Sequence, residues 1–205
     1  MIMLERSPRL PRRGWSLFLG LPVLAVALAL TVMPAAAAPG GQATVAAARN
    51  ATARFHDLGA AKAAGYVIEV ADTAGLTCIA DLADVPSQGA MGIHYLDPSL
   101  IPELTDPTFS GTPSVAATTP ELLVYAPGAN GQLRLVALEY LTLKAQWDAT
   151  HSGPPELFGQ MFMTTPAPNR FGLPAFYSLH AWIWDPNPNP DGGMFSMWNP
   201  RVTCP

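Results

Sequence analysis

Positive charge is scarce in this chain, and much of it lies at one end. Eleven Lys and Arg face fifteen Asp and Glu. Arg6, Arg9, Arg12 and Arg13 stand with Glu5 in the first stretch, which leaves seven basic against fourteen acidic residues downstream. A net charge near −7 there, with no basic run or cluster, argues against nucleic acid as a partner. Cysteine is scarcer still. Cys78 and Cys204 lie far apart and neither sits in a CxxC, which disfavours a thiolate metal pair. There is no G-x-S-x-G, H-E-x-x-H, Walker loop, dinucleotide fingerprint or EF-hand, so the standard serine hydrolases and zincins are disfavoured. No internal repeat is visible.

The N-terminus has the three zones of an export signal. The arginines form a positive region, Trp15 to Val32 is an uncharged apolar run of 18 residues, and Pro34-Ala35-Ala36-Ala37-Ala38 supplies small residues for cleavage. Residues 1–37 are therefore expected to be a signal peptide and residues 38–205 a single exported domain, secreted or periplasmic. A Sec-type route fits better than the twin-arginine route that Arg12-Arg13 weakly suggests. Membrane contact is expected only if the signal segment stays uncleaved, since 18 apolar residues are just long enough to span. In an oxidising compartment Cys78 and Cys204 are expected to pair. That bond would close a loop of about 127 residues, for which chain entropy gives at most roughly 4–5 kcal/mol.

Local patterns predict an α+β domain that is rich in loops. Residues 44–64 are alanine-rich, lack proline and carry an apolar stripe at Val45, Ala48, Thr52 and Phe55, which predicts one long helix. Short strands are expected over 66–70, 89–95, 121–125, 133–143 and 176–184, with Asn130-Gly131 marking a hairpin between the third and fourth. The 22 prolines favour extended coil over further helix. The expected architecture is the long N-terminal helix packed on a mainly antiparallel sheet or partial barrel.

Strand alternation singles out candidate functional residues. It puts Glu139 in an apolar row with Leu133, Leu135, Ala137, Leu141 and Leu143, where an unpartnered carboxylate is costly. His180 falls on a face with Phe176, Ser178, Trp182 and Trp184; His94 sits mid-strand with Gly92; His56 lies beside the helix stripe. Three imidazoles and one carboxylate suit Zn²⁺, Cu²⁺, Mn²⁺ or Fe²⁺. His151, in a Ser/Gly/Pro loop, reads as a surface residue. Met161-Phe162-Met163 and Met194-x-x-Met197 have spacings found on copper-handling surfaces, although flexible core filling is the better explanation of them. The C-terminal aromatics suggest a fold-back lid closed by Cys204, with a pocket of Tyr95, Phe176, Trp182, Trp184 and Trp198.

The stretches Ala53-Arg54-Phe55-His56-Asp57, Ala90-Met91-Gly92-Ile93-His94-Tyr95, Leu135-Val136-Ala137-Leu138-Glu139-Tyr140, Tyr177-x-Leu179-His180-x-Trp182-x-Trp184 and Gly193-Met194-Phe195-x-x-Trp198-Asn199-Pro200-x-Val202-x-Cys204 resemble a family of uncharacterised bacterial exported proteins. The resemblance covers most of residues 45–204. It implies that His56, His94, Glu139 and His180 belong to one site, and it adds no reaction. Three readings stay open: an exported metal-binding domain, a metal-free module holding a small ligand in an aromatic pocket, and a hydrolase or lyase using His180 and Glu139 as an acid–base pair.

Overall fold

A computed structural model describes residues 39–82, 88–106 and 108–205. The predicted leader over 1–37 lies outside them. Among the described residues no helix is long and apolar enough to cross a membrane.

The helical start is broken rather than continuous. Helix α1 spans Pro39–Thr52, a 3₁₀ turn follows at Ala53–His56, and α2 spans Leu58–Ala63. The single long helix expected over 44–64 therefore does not form. Asp57 is the reason: its backbone is extended (φ −86°, ψ 111°) and its carboxylate accepts from the N–H of Gly59 at 2.7 Å and of Ala60 at 3.4 Å. Aspartate gains more as a helix cap than inside a helix, so it restarts the helix here.

The strands are β1 (Ile68–Glu69), β2 (Cys78–Ala80), β3 (Ala90–Leu96), β4 (Leu122–Pro127), β5 (Leu133–Leu143), β6 (Glu156–Leu157), β7 (Gln160–Met161), β8 (Met163–Thr165) and β9 (Phe176–Ala181). Short helices α3 (Pro102–Thr105) and α4 (Lys144–Asp148) lie between them. One antiparallel sheet runs β1, β3, β4, β5, β9, β8, and β2 pairs with β3 end to end with β1. β6 and β7 form a separate small hairpin. No closed barrel forms among the described residues. The β4–β5 hairpin stands where Asn130-Gly131 predicted it, with both residues in the left-handed region (φ 72° each).

Both faces of the sheet are covered. Tyr95, Leu123, Leu138 and Ala181 follow one another across four strands and belong to the core under α1 and α2, with Val45, Ala48, Phe55 and Ala61. The next row, Leu96, Leu122, Glu139 and His180, faces the opposite way. That side is covered by loops and the C-terminal tail, through Ile101, Phe171, Leu173 and Val202. The tail is held by the Cys78–Cys204 disulfide, with Cα atoms 5.6 Å apart. The described residues form one compact unit.

One local irregularity corrects the alternation read along β5. Val124 pairs with Ala137 but Tyr125 pairs with Leu135, so Val136 is an extra residue, a β-bulge. Leu135 consequently joins the helix-side core, while Ala137, Leu141 and Leu143 share the face of Glu139 as predicted, and that face meets the loops. Gly92 sits near this bulge with φ 106°, and a Cβ there would lie 2.5 Å from the Tyr125 carbonyl oxygen. What needs the room at Gly92 is the backbone of β4.

Candidate metal centre

Three strands each deliver one titratable side chain to the loop-covered face. Glu139 on β5 and His180 on β9 are direct cross-strand partners. His94 pairs with Val124, and Val124 with Ala137, so its side chain reaches Glu139 diagonally across β4. Nε2 of His94 lies 3.5 Å from Oε2 of Glu139 and 3.4 Å from Nε2 of His180, and Nδ1 of His180 lies 3.8 Å from Oε1 of Glu139. All three residues are buried, at 3%, 7% and 3% exposure for His94, Glu139 and His180. One donor atom from each lies within 4.8 Å of the others, an arrangement that could hold a metal ion. Donors about 2.0–2.2 Å from a tetrahedral ion are themselves about 3.3 Å apart, so only small side-chain movements separate this cluster from a coordination shell.

The surroundings set the charge of each group. Burial holds the His94 imidazole down to about 4, with the Gly92 backbone weakly opposing it. Burial, and then the neighbouring His94, hold His180 well below the ordinary imidazole value. Burial pushes the Glu139 carboxyl up to about 8, against a hydrogen bond from Ser178. Left to themselves at neutral pH, all three are therefore uncharged. Neutral imidazoles are the form that binds a metal; the carboxyl would have to release its proton. Nδ1 of His94 is buried without a hydrogen bond of good geometry. Trp182 lies roughly parallel to the His180 ring (centroids 6.2 Å, 18°) and is fixed by an Nε1–H bond to the Ser196 carbonyl at 2.7 Å.

The fourth expected member, His56, does not join this group. It is exposed, on the helical side, edge-on to Trp184 at 4.5 Å. The 3₁₀ turn that interrupts the helix turns Phe55 inward and leaves His56 outside. His151 stacks on Trp147 at 3.7 Å. The expected aromatic pocket is likewise dispersed. Tyr95 is on the helix side, donating to Glu69 Oε2 at 2.9 Å. Trp184 leaves the His180 face because β9 ends at Ala181, and it packs with the helix-side core. Trp182 is wholly interior.

Phe176 and Trp198 do line a pocket, of about 300 Å³, but with residues that the sequence did not single out for it: Leu96, Leu122, Leu141 and Phe171 among them. His94, Glu139 and Ser178 also line it. Ser178 was legible as lying two residues before His180 on one strand face; its bond to Glu139 was not. No family model, curated protein or solved structure matches the chain.

Proposed function

We propose that this chain is an exported metal protein in which His94, Glu139 and His180 bind one divalent transition-metal ion. The carrying observation is that three side chains able to ligate converge within a few ångströms in a buried site where a metal-free carboxyl is held protonated. Two imidazoles and one carboxylate, with the remaining positions open, is a donor set used for catalytic Zn²⁺ and for non-haem Fe²⁺. The pocket reaching His94 and Glu139 gives a small molecule access to such an ion. Ser178 acts as the outer support of Glu139. Export is part of the same reading. It rests on the leader-like residues 1–37, the resemblance to exported bacterial proteins, and a disulfide of the kind that persists outside a reducing cytoplasm.

Elemental analysis of the purified full chain tests it. The expected result is close to one Zn or Fe per chain, lost in His180→Ala and in Glu139→Gln and kept in His56→Ala. A correctly folded protein that retains no Zn²⁺, Fe²⁺, Mn²⁺ or Cu²⁺ after incubation and desalting overturns the metal reading. In its place would stand a neutral, hydrogen-bonded core cluster beside a ligand pocket.

A further inference from the structure

The pocket beside the cluster has two chemically distinct parts. Its polar end is His94, Glu139 and Ser178; its walls are mainly aliphatic and aromatic, with Leu96, Ile101, Leu122, Leu141 and Phe176, beside Thr165 and an Asn169 whose side chain is bonded to the backbone of Phe171 and Leu173. His180 is not part of the lining, so an ion held by all three ligands would sit behind His94 and Glu139 with one side toward the pocket. The one cationic side chain in the lining, Arg170, is already engaged. Its guanidinium donates to Asp72 at 2.7 Å and to the Ala80 carbonyl at 2.9 Å, and it is about a quarter exposed, which places it toward solvent.

Charge and size then restrict the occupant. A divalent ion with two neutral imidazoles and one carboxylate keeps one positive charge, and a buried uncompensated charge is strongly disfavoured. One anionic oxygen ligand cancels it. The walls offer no partner for a second charge, so the rest of the molecule must be apolar. A cavity of about 150 Å³ lined by apolar side chains accepts benzene, so about 300 Å³ admits roughly ten non-hydrogen atoms. This is the small end of the range of small-molecule sites.

Resting on the metal reading above, we propose that the pocket takes a monoanionic amphiphile, such as a medium-chain monocarboxylate, with its oxyanion on the ion and its hydrocarbon body along the Leu96–Leu122–Leu141 wall. The head is selected by the charge of the metal centre, and the body by apolar burial. Each methylene that enters the pocket adds about four-fold in affinity. Hexanoate is therefore weaker than octanoate, octan-1-ol loses the head contact, and octylamine is excluded by like charge.

Calorimetric titration of the full chain with octanoate, hexanoate, octan-1-ol and octylamine, zinc-loaded and zinc-stripped, tests this, with zinc content measured on the same samples. The expected result is octanoate binding to the zinc-loaded protein at least ten-fold tighter than to the stripped protein, and at least ten-fold tighter than octan-1-ol. Leu104→Trp, on a half-buried part of the lining outside the three ligand strands, should cost octanoate ten-fold or more while zinc is kept; Leu173→Trp, half-buried in the same lining, serves if the first variant does not fold. Equal octanoate affinity with and without zinc overturns the head-on-metal assignment. Zinc uptake without octanoate binding overturns this inference and leaves the metal centre standing. Failure to take up zinc or any other ion overturns both, and the metal measurement reports that separately.

Discussion

The two faces of the central sheet are made from alternate residues of the same strands, yet they handle polarity in opposite ways. On the helix side the tyrosine hydroxyls all have partners: Tyr66 donates to the Pro120 carbonyl, Tyr125 to that of Phe55 and Tyr140 to that of Ala117, at 2.7–2.8 Å, while Tyr95 and Tyr177 donate to the carboxylates of Glu69 and Asp148. That face is close to a finished core: among the described residues, Nε1 of Trp184 is the one buried side-chain polar atom there without a hydrogen bond. On the loop side His94, Glu139 and His180 have only each other, Ser178 and a backbone group, and an apolar pocket opens beside them. The contrast shows where selection for packing ends and where a site begins. A face built for stability closes nearly all its polar groups with local partners, whereas this one leaves three titratable groups sharing too few.

The sharpest test of this difference is pH. If the cluster binds a metal, Glu139 must lose a proton that it otherwise holds up to about pH 8, while His94, at about 4, does not compete above that. Metal affinity should thus rise about ten-fold per pH unit from about 5 to 8, roughly a thousand-fold in total, and flatten above 8. Competition titration with a chelator of known pH response measures it.

The same carboxyl acts with the opposite sign in the metal-free protein. Its folded value is raised from 4.5 to about 8, so its contribution is intact below about 4.5 and is lost as the pH rises through 8. The loss is at most about 1.4 kcal/mol per pH unit. Glu121, also pushed up to about 8 by burial, adds a similar decline. Denaturant unfolding of the metal-free Glu139→Gln protein should retain about half the slope of the parent. The histidines work from the other side, since their depressed values cost stability as the pH falls below 6.5.

Breaking the disulfide should separate the faces. A Cys78→Ser, Cys204→Ser protein is expected to lose up to about 4 kcal/mol. Because Cys204 packs only against the loop-side cluster, amide exchange should quicken first around Ser196 to Val202 and last at Leu123 and Leu138. Leu138→Ala, wholly buried under the helices, should cost about 3 kcal/mol in unfolding experiments while leaving metal content untouched. The smallest effect belongs to Asp57→Ala. Losing this cap should cost about 1 kcal/mol, with no consequence for the loop face.

The local parts of this architecture were legible from the chain itself. Asn130-Gly131 marked the hairpin, alternation put Glu139 among apolar residues, and Cys78 and Cys204 were the only cysteines available to pair. The rest depended on partners far away in sequence. That Glu139 faces His180 follows from the pairing of β5 with β9, which no local pattern encodes. His56 lay near a helical stripe and was grouped with the others; the cap at Asp57 turned it out. A short turn around Glu156-Leu157-Phe158-Gly159 is signalled by its glycine and forms, with Phe158 at φ 58°, but the β6–β7 pairing on either side of it carries no local signal. The strand wall of the pocket is completed by loop residues such as Ile101 and Phe171, which have no periodicity to read.

The extra residue at Val136 works as a phase shift. Before it, the odd-numbered side chains of β5 serve the helices; after it, odd-numbered side chains serve the opposite side. Deleting Val136 would keep both halves on their faces, but drawing it into a regular ladder would exchange inside for outside along one half of the strand. Either Leu133 and Leu135 would be pulled from beneath the helices, or Glu139 would be driven into them, away from both histidines.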